Sequence, residues 1–136
     1  MKSKALIFIA AAVLMSVPAL FAHHGDAGRY EDTTITLTGT VVEVQLVDPH
    51  AILIVDIPDE KGKAVRWQAE LGGKSVLTKN YGWNKNTLKF GDKLTIVGRR
   101  VKSGAPYINL TDRASIVLTD TGKEIFSVGK KNLGQP

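Results

Sequence analysis

The strongest constraint in this sequence is a change of phase inside one apolar alternation. Ile35, Leu37 and Val41 are apolar at odd positions, and Val42, Val44 and Leu46 at even ones. Period-two alternation marks a strand with one face buried. A slip of one residue turns every later side chain to the opposite face. A chain accommodates that slip by bulging out one extra residue, and Gly39, just ahead of it, is a natural place to bend. The pattern predicts one long, bent strand that serves two sheets.

The rest of the chain continues in strands. Asp48-Pro49 breaks the first run, and Ala51 to Ile57 is a nearly continuous apolar strand stopped by Pro58. Asp59 to Lys63, with Gly62, reads as a charged turn. Val65, Trp67, Ala69 and Leu71 then alternate with Arg66, Gln68 and Glu70, a half-buried strand ended by Gly72-Gly73. Ser75 reads as an N-cap, Leu77 and Tyr81 sit four apart, and Gly82 reads as a C-terminal cap, so a short helix is predicted over 75–81. A polar loop follows, anchored by Trp83, Leu88 and Phe90. Leu94 to Val101 and Tyr107 to Leu118 are the last two major strands, the latter with a break near Asp112, and Glu124 to Val128 adds a short edge strand.

Three strands, a helix and two strands, the first strand long and bent, define an all-β chain. The layout is that of a small five-stranded OB-fold-like barrel with one short helix between strands 3 and 4. Closure removes most exposed edges. A small β-sandwich is the alternative.

Composition sets the compartment. Met1 to Ala22 has two lysines at its head, an unbroken apolar run from Ala5 to Leu14, and Ser16, Pro18 and small residues behind it. This is the three-part layout of a secretory signal peptide, and cleavage fits after either Ala19 or Ala22. Removal after Ala22 leaves a length that suits one domain. It also takes Lys2 and Lys4 with it, lowering the net charge from +5 to +3. That mild balance does not argue for nucleic acid. No membrane span is expected after cleavage. The absence of cysteine excludes disulfides, thiolate metal sites and a Cys nucleophile. The domain plan is a signal peptide over 1–22, an N-terminal arm over 23–32, the barrel over 33–128 and a disordered basic tail over 129–136.

Several short runs together resemble an uncharacterised family of bacterial exported proteins. They are Ala22-His23-His24, Asp48-Pro49-His50-Ala51, Trp67-Gln68-Ala69-Glu70-Leu71-Gly72, Gly82-Trp83 and Gly91-Asp92. Members of that family usually read Ala-His-His-Ser and Asn-Pro-His-Ala, so Gly25 and Asp48 depart from the pattern. The resemblance implies a periplasmic or secreted single domain and carries no established activity.

Two candidate sites follow from the residues. His23, His24 and His50 all lie in irregular segments, and imidazole is the commonest metal ligand open to a chain without cysteine. If cleavage exposes His23, its α-amine and ring nitrogen chelate together, and His50 adds a third nitrogen. Such an array suits Cu(II), with Asp26, Asp48 or Glu70 as an oxygen donor. The plainer alternative is a solvated terminus, with His50 capping its turn or bonding a backbone carbonyl. The second candidate is the polar face of strand 3, where Arg66, Gln68 and Glu70 would hold an envelope component or a periplasmic protein partner. Its alternative is a solvated face. Trp67 shares parity with Val65 and Leu71, which places it in the core. Arg99 and Arg100 point to opposite faces, and one is expected to pair with Glu70 or Asp92. No serine sits in a nucleophile elbow, and no pair of acids is spaced for acid–base work. The expectation is a binding module, not an enzyme.

Overall fold

The computed structural model describes residues 28–130. The elements are β1 (Ile35–Gln45), β2 (Ile52–Pro58), β3 (Ala64–Glu70), α1 (Lys74–Tyr81), β4 (Lys93–Arg100), β5 (Tyr107–Asn109), β6 (Ser115–Leu118) and β7 (Glu124–Ser127). Strands pair in the order β1-β2-β3-β5-β4, and β4 returns to β1, closing a five-stranded barrel. β3 and β5 run parallel; every other pairing is antiparallel. β6 and β7 extend the sheet beyond β4.

Closure depends on the bend in β1. Its first half, Ile35 to Thr40, pairs with β4. Its second half pairs with β2, and the register shifts between Val41, opposite Val55, and Glu43, opposite Ile54. Val42 is the extra residue, so the phase change in the sequence is a bulge, as expected. At Gly39 a side chain would run into the Asp56 carbonyl and the Ile57 side chain, so only glycine lets β1 cross from one partner to the other here. Gly98 does the same for β5. A Cβ there would lie 2.6 Å from the Asn109 carbonyl oxygen.

The barrel interior is filled by Val41, Leu53, Val55, Ala69, Leu94 and Ile96, all fully buried. Leu77 of α1 and Trp83 join this core. The Trp83 indole donates to the Ile125 carbonyl at 2.9 Å and meets the Phe126 ring edge-on. Gly82 ends α1 in the left-handed region, with φ of 70°. No described helix is long and apolar enough to cross a membrane.

Several local expectations change. Ser75 is not the N-cap. Gly73 holds that position without a side-chain bond, and the Asp48 carboxylate arrives from the β1–β2 loop to accept from Ser75 instead. Phe90 does not anchor its loop and is 82% exposed. The last strand breaks around Asp112, as expected, into β5 and β6: Asn109 folds back on Thr111, its Oδ1 accepting from the Thr111 N–H and hydroxyl, each at 2.8 Å. Residues 110–114 then loop out before β6. The arm expected to be loose over 23–32 is fixed over its described part. Tyr30 is buried and bridges to Val101, and the Glu31 N–H donates to Arg100 O. The segment expected as a signal peptide over 1–22, the first part of the expected arm and residues 131–136 of the expected tail lie outside the described residues. Lys130 pairs with Glu124 at 3.2 Å.

Candidate functional site

The β1–β2 loop, residues 46–51, carries Asp48, Pro49 and His50. Its far end is tied to the segment after β3, with Leu71 N–H donating to Ala51 O at 2.9 Å and Ala51 N–H to Gly72 O at 3.3 Å. Its near end is tied to α1, with Lys74 N–H donating to Val47 O at 2.9 Å. Asp48 accepts from the Ser75 backbone N–H at 3.0 Å and from the Ser75 hydroxyl at 2.8 Å. Those bonds hold its carboxyl below the usual carboxylate range. Asp48 therefore serves the helix start, where an anion is favoured.

His50 sits between these two anchors. Its Nδ1 lies 3.3 Å from Leu71 O and 3.2 Å from a Glu70 carboxylate oxygen, while the side chain stays 55% exposed. Both neighbours of Nδ1 are acceptors. The other Glu70 oxygen accepts from the Tyr107 hydroxyl. Burial and that bond push the Tyr107 phenol well above its ordinary value. Arg29 stacks on the other side, 5.4 Å from the Tyr30 ring centroid and 5.2 Å from that of Tyr107. A chain of contacts thus runs from Arg29 through Tyr107 and Glu70 to His50.

The polar face of β3 is organised differently from its sequence reading. Arg66 forks onto Asp56, directly opposite on β2, with bonds of 3.0 and 3.1 Å. Arg66 holds the Asp56 carboxyl below its usual range. Gln68 is exposed, and Glu70 turns to His50 and Tyr107. The structure brings together one member of each candidate set, His50 and Glu70. Tyr107 was missed as their partner, since nothing local links residues 37 positions apart.

His23 and His24 lie outside the described residues. Among the described residues, no group of three or more His, Asp or Glu side chains is placed to hold a metal ion. Arg99 pairs with neither Glu70 nor Asp92. It donates to Glu31 O at 2.8 Å and meets Asp112 at 3.3 Å. Arg100 goes to the opposite face, where it stands over the Trp67 ring. Trp67 is buried in the barrel wall, as its parity predicted.

The fold and site define a small closed β-barrel whose polar side chains gather where β3, β5 and the β1–β2 loop meet. The chain belongs to the family of unknown function DUF6152, which matches residues 11–107. That match covers β1 to β4 and reaches the first residue of β5. No curated protein matches the chain.

Proposed function

We propose that this chain is an exported binding module for Cu(II), with His50 and the His23–His24 pair as nitrogen donors. One observation carries this reading. The Nδ1 of His50 faces two acceptors, the Leu71 carbonyl and the Glu70 carboxylate. In the neutral ring Nδ1 therefore bears the proton, and Nε2 keeps the lone pair. A ring fixed in this way by a carboxylate or carbonyl is the usual arrangement of a metal-ligating histidine. The module is non-catalytic, and its partner class is a metal ion delivered outside the cytoplasm. The alternative, an envelope component or protein held on Arg66, Gln68 and Glu70, has less behind it. Two of its three side chains are engaged internally.

Calorimetric titration of Cu(II) into chain purified from the periplasm, its first residue fixed by mass spectrometry, tests the reading. The expected result is one tight site in a chain beginning at His23. Affinity should fall in both His50→Ala and the double variant His23→Ala, His24→Ala by at least the roughly tenfold to hundredfold that loss of a mere outer-shell partner costs. Equal affinities in all three proteins would refute a shared site, and retention in the cytoplasm would refute export.

A further inference from the structure

A groove of about 490 Å³ opens at the start of β3, at the opposite end of that strand from Glu70. Its walls include Leu37, Ile57, Val65, Trp67 and Pro106. The volume falls within the roughly 300–1,000 Å³ of small-molecule sites. Among the described residues that line it, Arg100 is the single cation.

Arg100 is unusual in what it lacks. Its guanidinium stands 5.0 Å from the Trp67 ring centroid, and one terminal nitrogen donates to the Gly104 carbonyl. Its Nε is buried without any hydrogen-bond partner. Among the described residues no carboxylate pairs with it. Arg99, one residue earlier, has Asp112, Asp32 and the Glu31 carbonyl. A guanidinium never gives up its charge and offers five donors in a rigid fork. Nε is closed off from the groove, so what the groove meets is the outer end of a guanidinium whose charge no described carboxylate balances, and the acceptor that suits such a group is an oxyanion.

The remaining lining side chains narrow the oxyanion. Asp59 and Glu60, in the β2–β3 turn, also border the groove. Asp59 is engaged by the Lys61 and Lys63 N–H groups at 2.9 and 2.8 Å. Both acids repel a polyanion such as an oligonucleotide or a polyphosphate. One negative charge on an apolar body satisfies Arg100 without crowding them. We propose that this groove binds a small monocarboxylic acid, its carboxylate on Arg100 and its hydrocarbon against Trp67, Leu37 and Val65. None of these residues belongs to the copper reading, so either proposal can fail alone.

The test titrates octanoate and octanol into the full chain, read by calorimetry and by tryptophan emission, since Trp67 lines the groove. Octanoate should bind saturably, shift the emission, and bind on the order of tenfold more tightly than octanol. Arg100→Gln should lower octanoate to the level of octanol and leave octanol unchanged. Leu37→Phe, which narrows the groove, should weaken both. Equal affinity for the two ligands in the unaltered protein would overturn the proposal, as would no saturable binding or a preference that survives Arg100→Gln. An oligothymidylate that binds more tightly than octanoate would also overturn it. The comparison on the unaltered protein stands even if Arg100→Gln fails to fold.

Discussion

Three acids on this barrel show how position decides what a carboxylate does. Asp48 lends its charge to the start of α1, Glu70 shares two oxygens between His50 and Tyr107, and Asp56 holds Arg66 across the β2–β3 ladder. Asp56 is the simplest to test. Its carboxyl is held below the ordinary aspartate value of 3.8, chiefly by the bond from Arg66. A depressed carboxylate contributes stability that is present above its unfolded value and lost as pH falls through the folded one. Asp56→Asn should therefore melt below the unaltered protein at neutral pH. The gap should close as pH is lowered through and below 3.8. Thermal unfolding across that range checks this, and a gap constant with pH would count against the pair. High salt should narrow the gap as well, because the pair is open to solvent.

At the level of elements, β1 shows how far sequence pattern reaches. The phase change near Gly39 announced both the bulge and the switch of partner from β4 to β2, because alternation is a local property that burial enforces directly. The alternation of β3 and the glycine that ends α1 were legible for the same reason. What was not legible depends on which strands meet. The Asp48 cap reaches Ser75 across 27 residues, and Phe90 is exposed although its loop neighbours Trp83 and Leu88 are buried. The break of the last strand near Asp112 was legible; the turn of Asn109 onto Thr111 that makes it was not. The β1 crossover gives a sharp prediction. Gly39→Ala drives a methyl into the Asp56 carbonyl and the Ile57 side chain. It should cost about 1–3 kcal/mol, in line with other overpacking changes, measured by urea unfolding. A neutral outcome would mean that β1 crosses less tightly than described.

At the largest scale, the described residues form a closed barrel with a short two-strand extension, β6 and β7, bound to it by the β4–β6 ladder and clamped by Trp83. The indole is buried, bonds the Ile125 carbonyl of β7, and packs against Phe126. Trp83→Ala should cost about 3–5 kcal/mol and speed amide exchange in Glu124–Ser127 more than in β2. Exchange that rises equally everywhere would argue against a separable extension. The run of contacts from Arg29 to His50 has a consequence of another kind. His24 lies five residues before Arg29, so the tether between them is no longer than about 17 Å. Arg29 is itself only two side chains, Tyr107 and Glu70, from the His50 ring. On the copper reading proposed above, an ion on His50 would meet the second donor as part of the same molecule, at an effective concentration on the order of millimolar. On the same reading, lengthening the segment between His24 and Arg29 would dilute that donor and weaken the site while leaving His50 in place.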